Sequence, residues 1–164
     1  MKLHTIINIV TILVVGTEVQ YVSADSVKAR AFTDRATQAI KMGDSNKAEL
    51  LFAQAMQEDP KNNVFLLALA DFYVQQHRFV EAEQLIVSGD QKDYRLWKTK
   101  AIMHQVKNEP TLAISAFEQA LSLGGKADRY ILTCLQVHYE KIGDAVRKKQ
   151  MEHLLSAVAI DTKQ

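Results

Sequence analysis

The feature that most restricts the fold of this chain is a three-residue pattern that returns at nearly constant spacing. In GDSNKAELLFAQAMQEDP, Gly43 to Pro60, the residues Ala48, Phe52 and Ala55 fall at i, i+4 and i+7, on one face of a helix. Alanine at two contact positions lets a neighbouring helix axis approach closely, and Phe52 fills the gap that remains. Asp44 or Ser45 can cap the start of this helix, and Pro60 stops it. Gly43 ends a preceding segment, Ser26 to Met42, rich in helix formers, so the local unit is helix, tight turn, helix. A shift of 34 residues carries Ala48 onto Ala82, Phe52 onto Ile86 and Gly43 onto His77, with Gly89 in the place of Ala55. A further shift of 31 residues brings Ala113, Phe117 and Ala120 into the same three places.

Helical hairpins repeating at about 34 residues are the signature of the tetratricopeptide repeat, and the chain resembles that family. The first copy keeps Gly43, Ala48, Phe52, Ala55 and Pro60 of the family pattern, with Phe32 at the tryptophan position and Arg35, Ala36 and Ala39 after it. The second keeps Leu69, Ala70, Tyr73 and Ala82. The third keeps Trp97, Ala101, Ala113, Phe117 and Ala120, with Lys100 and His104 where large apolar and aromatic residues are usual. A fourth unit follows Gly124-Gly125, with Leu132, Leu135, Tyr139 and Gly143 in the expected order. Its second helix departs from the pattern, because Lys148 and Glu152 stand near the small and aromatic positions, while Met151, Leu154, Leu155 and Val158 leave one apolar stripe. It reads as a capping helix. The resemblance implies an all-α fold, a right-handed superhelix of three repeats, about 29–62, 63–93 and 94–127, closed by a capping hairpin over 128–160. On this reading Phe52, Tyr73, Trp97 and Phe117 pack between helices.

The first 24 residues have a different composition. Lys2 precedes an apolar run from Ile6 to Val15, too short to span a bilayer comfortably. The segment ends Val22-Ser23-Ala24, whose small residues suit signal peptidase, so cleavage is expected after Ala24. A buried N-terminal helix or an uncleaved anchor is the alternative. No cysteine follows the run to carry a lipid. Export places the mature chain, 25–164, in the bacterial periplasm or outside the cell.

The remaining composition excludes more than it selects. A formal charge of +1 over 164 residues, 48% of them apolar, favours an ordinary globular domain and gives no reason to expect nucleic acid as partner. Arg147-Lys148-Lys149 is a solvated helix face. Cys134 stands alone, so no disulfide within the chain and no all-cysteine metal site can form. Cys134 and His138 lie four apart on one helix, but two ligands do not make a metal centre, and a buried thiol beside a histidine is the simpler reading. No GxGxxG, GxSxG, P-loop or HExxH pattern is present. The expectation is a non-catalytic protein without cofactor or metal.

In the tetratricopeptide family the first helix of each repeat lines a concave groove that takes an extended or helical peptide. The resemblance places Arg30, Thr33 and Thr37 on that surface in the first repeat. Val64, Leu67, Asp71 and Val74 follow in the second, and Arg95, Lys98, Ile102 and Gln105 in the third. The apolar members would form a central strip, with Arg95 and Lys98 ready to meet a carboxylate. Family members that clamp the C-terminal carboxylate of heat-shock chaperones need lysine and asparagine at places held here by Thr33, Thr37, Ala68 and Thr99. Only Arg95 fits, so that clamp is not expected. The function expected is a scaffold that holds a protein or peptide partner, by family analogy in pilus or secretion-system biogenesis. A cytosolic secretion chaperone retaining residues 1–24 as a helix, or a periplasmic accessory factor for enzyme or cofactor assembly, are the alternatives.

Overall fold

The computed structural model describes residues 11–15, 18–22 and 24–161. Two short strands, β1 (Thr11–Val15) and β2 (Glu18–Val22), pair antiparallel with Thr11 opposite Val22 and Val15 opposite Glu18. The parts of the expected signal segment at 1–10, 16–17 and 23 lie outside the described residues. From Ala24 onward the regular structure is helical: α1 (Ala24–Lys41), α2 (Ser45–Glu58), α3 (Asn63–Gln75), α4 (Phe79–Ser88), α5 (Tyr94–Val106), α6 (Pro110–Ser122), α7 (Arg129–Lys141) and α8 (Ala145–Asp161), with one 3-10 turn at Gly125–Ala127. The all-α hairpin architecture expected from the repeat is therefore the one observed.

All four hairpins are closed by the same backbone turn. Asp44, Arg78, Glu109 and Asp144 each donate a backbone N–H to the carbonyl five residues earlier, on Ala39, Tyr73, His104 and Tyr139, at 2.9 Å in every case. This bond is the signature of a Schellman helix end, and it requires a left-handed residue just before the donor. Gly43 and Gly143 supply it at φ +78° and +75°, and His77 and Asn108 adopt φ +58° in the same place. Asp44 and Asp144 then cap the next helix, accepting from the backbone N–H of Lys47 and Arg147 at 3.0 and 2.9 Å.

The chain divides into two compact units, residues 1–69 and 70–164. In the first, α1 packs along α2 around Ala29, Ala55 and Phe65, with Phe32 and Met56 at the margin. Ala48, Phe52 and Ala55 are all buried. In the second unit, Val74, Ala82 and Met103 form one cluster. A larger one gathers Ala101, Ala116, Phe117, Ala120, Ile131, Leu132, Leu135, Tyr139 and Met151, with Trp97, Leu154, Leu155 and Val158 packed against it. The alanines at 82, 113 and 120 are wholly inaccessible, as close helix crossing demands. At the equivalent place on α8, Lys148 instead turns its ammonium to Glu140 at 2.9 Å and Glu152 at 4.0 Å. Gly125 marks another close approach: a Cβ there would stand 2.8 Å from the Ala120 carbonyl oxygen and 2.7 Å from Ile131 Cδ1.

Candidate functional site

The first-helix residues expected to line a groove divide by burial. Val64 is exposed, but Leu67 and Val74 are only 7% and 3% accessible and cannot present an open apolar strip. The reason lies in α3 itself, which also buries Phe65, Leu66, Leu69, Ala70 and Phe72 and so is apolar on nearly every face. Val74 is held between Ala82 and Met103. In the first unit, Arg30 and Thr37 are exposed and Thr33 half-buried. The two threonine hydroxyls donate back to the carbonyls of Ala29 and Thr33, each at 3.0 Å, within their own helix.

In the second unit the expected residues form part of a polar ladder between first helices. The Thr99 hydroxyl on α5 donates to Asp71 Oδ1 on α3 at 2.8 Å. One residue earlier, Lys98 Nζ bonds Asp128 Oδ2 at 2.7 Å and lies 5.1 Å from the centre of the Tyr130 ring. About two turns further along α5, Gln105 Nε2 donates to His138 Nε2 on α7 at 3.0 Å. Cys134 sits on α7 near Tyr130 and Gln105. Ile102 is half-buried against both core clusters, so it contributes only part of its surface. Arg95 is exposed, but its guanidinium is forked onto the Asp93 carboxylate at 2.7 to 3.2 Å. Arg95 and Lys98, expected to await a ligand carboxylate, thus already have partners within the chain.

Asp71 keeps access to solvent yet is set among protein atoms, and this desolvation holds its carboxyl above the usual range against the opposing pull of Thr99 and Lys98. Burial pushes the Cys134 thiol up, the reverse of what a nucleophilic thiolate needs. Burial lowers His138, with Lys141 adding to the effect, in keeping with a neutral ring that accepts from Gln105. Among the described residues no group of three or more His, Cys, Asp or Glu side chains could hold a metal ion. A cleft of about 340 Å³ continues the ladder past its last rung, between Gln105, Asn108, Glu109, Pro110, His138 and Lys141.

Sequence reasoning misses the partners in this ladder. By position alone Asp128 is part of a helix start and nothing more. It does cap α7, accepting from Tyr130 N–H at 3.0 Å, but its second oxygen takes Lys98. The available signal is distance along the chain, since Asp128 follows Lys98 by 30 residues, close to one repeat.

The hairpins, their shared turn and the buried alanine positions define a tetratricopeptide-type fold. A tetratricopeptide repeat family model matches residues 39–100. Among solved structures, one described as the functional characterization of Pseudomonas aeruginosa PilF superposes with a TM-score of 0.68 at 20% identity, covering 80% of this chain and 61% of that one. The first TPR of Spaghetti (RPAP3), solved bound to the HSP90 peptide SRMEEVD, gives 0.60 at 19% identity, covering 73% of this chain and 99% of that one. The Arabidopsis OM64 TPR domain gives 0.56 at 16% identity, with 71% and 98% covered. At these identities the likeness is one of fold. This chain spans less than two thirds of the PilF chain. No curated protein matches the chain in sequence. No helix among the described residues is long and apolar enough to cross a membrane.

Proposed function

We propose that the protein is a non-catalytic scaffold that binds a peptide segment of a partner protein on the first-helix face of α5 and α7. The observation that carries this reading is the ladder. It holds Asp71, Lys98 and Gln105 in fixed positions at an accessible surface, with Arg95 fixed beside them by Asp93, where their remaining donors and acceptors can meet a ligand backbone. The peptide seen on the Spaghetti domain supports a peptide ligand for this fold. Here Arg95 is taken by Asp93 and Thr99 by Asp71, which speaks against a clamp for a chain-terminal carboxylate.

The cellular setting proposed is envelope assembly in a bacterium, such as pilus or secretion-system biogenesis, after export and cleavage behind Ala24. The likeness to PilF supports this in fold only. Ala24 is the first residue of α1, so cleavage there shortens that helix by one residue and leaves the hairpins whole. The cytosolic chaperone and the periplasmic accessory factor remain the competing settings. Mass determination of the protein recovered from bacteria expressing the full chain separates them: a start at Asp25 supports export, and a start at Met1 favours the chaperone. An Arg95→Glu, Gln105→Glu double variant should lose the partner in co-precipitation while keeping its helical circular dichroism.

A further inference from the structure

Two repeat positions change character on α8. Counting from the turn residue, Leu154 stands where Gln54, Ser88 and Gln119 stand on α2, α4 and α6, and Lys149 stands where α2 and α4 carry Glu49 and Glu83. On this helix lies an open trough of about 810 Å³ lined by Leu121, Val146, Met151 and Leu154 together with Lys149 and His153. Val146 is 71% exposed within that lining. The basic residues on the other side of α8 are committed: Arg147 pairs with Glu118 and Asp144, and Lys148 with Glu140 and Glu152. Among the described residues the ion pairs made from α8 are those of Arg147 and Lys148, and Lys149 takes part in none of them.

We infer that this trough is a second docking surface, separate from the α5 and α7 face, and that its occupant is an amphipathic helix of another protein with an apolar stripe flanked by acidic side chains. Length favours a helix: Val146 to Leu154 spans about 12 Å of α8, two turns against which a crossing or parallel helix can lay its apolar face. Charge selects the flanks, because glutamates beside the apolar stripe bring carboxylates to the exposed Lys149 ammonium, and the His153 ring can donate a hydrogen bond to one of them.

The test uses the full chain and a fluorescein-labelled synthetic helix of about four turns with leucines along one face and glutamates beside them. A matched peptide carries lysines in place of the glutamates. Fluorescence anisotropy should show the acidic peptide binding about tenfold or more tightly than the basic one. Val146→Glu should weaken acidic-peptide binding by a similar factor, and Lys149→Glu should reverse the preference between the peptides. Both substitutions are at exposed positions, and circular dichroism checks the fold. Arg95→Glu should leave peptide binding unchanged, which keeps this result separate from the fate of the α5 face. Equal binding of the two peptides, or an unreversed preference in Lys149→Glu, overturns the proposal. So does a dimer in analytical ultracentrifugation that Val146→Glu dissociates, because the trough then belongs to a second copy.

Discussion

The Thr99 hydroxyl donates to Asp71 Oδ1 at 2.8 Å, joining two first helices through a carboxylate that desolvation holds above its ordinary range. The folded state therefore binds this proton more tightly than the unfolded chain does. Asp71's contribution to stability falls as pH rises from the ordinary value of 3.8 through the higher folded value. Carboxyl NMR should give Asp71 a midpoint above 3.8, moved further up in Thr99→Val because a bond to the ionised form is gone. A midpoint that falls in Thr99→Val would contradict this reading of the pair.

Tyr139 is buried and donates to Glu118 at 2.7 Å, while the Arg147 guanidinium lies over its ring at 4.7 Å and bonds the same Glu118. Burial first, and the Glu118 carboxylate second, push the phenol far above its usual range. In Tyr139→Phe, urea denaturation should show a loss of about 0.5–1.5 kcal/mol, a modest cost because Glu118 keeps Arg147. Ultraviolet titration of the folded protein should show one fewer ionising tyrosine than in urea.

The alanine positions should respond to size in both directions. Phe117→Ala empties a wholly buried site and should cost roughly 3–5 kcal/mol. Ala113→Leu adds volume where no space exists and should cost about 1–3 kcal/mol. Chemical denaturation of both variants checks this, and a neutral Ala113→Leu would show that the helices do not cross closely there.

The turns predict opposite outcomes for similar changes. Gly43 has φ +78° with open space around a would-be Cβ, so Gly43→Ala should lose about 1–2 kcal/mol from backbone strain alone. Asn108→Gly relieves a left-handed non-glycine residue and should raise the melting temperature or leave it unchanged. Gly125→Ala should destabilise for a different reason, collision with the Ala120 carbonyl. Thermal melts of the three variants read the order directly.

Much of the fold is legible in the sequence, because the residues that specify it act locally or recur. Ala48, Phe52 and Ala55 mark a face, and Asp44 caps its helix as expected. The turns at His77 and Asn108 are harder to read, since their left-handed backbone is imposed by the helix-ending bond and not by a glycine. The site is less legible. Leu67 and Val74 count as groove residues only if α3 has one buried face, whereas its unbroken run Val64 to Ala70 is the mark of a helix buried all round. Arg95 has its partner two residues away, where the Asp93 cap is the local clue. The Lys98–Asp128 and Gln105–His138 rungs join residues 30 and 33 positions apart, and only the assembled hairpins bring them together.

A partner held on the first-helix face, with the second helices carrying the scaffold, can be located by photocrosslinking. Benzoyl-phenylalanine is placed at the exposed position 141 on α7, which lines the cleft beyond the ladder, or at the exposed position 87 on α4. A discrete crosslinked partner is expected from position 141 and none from position 87. Crosslinking from position 87 with none from 141 would contradict the proposed binding face.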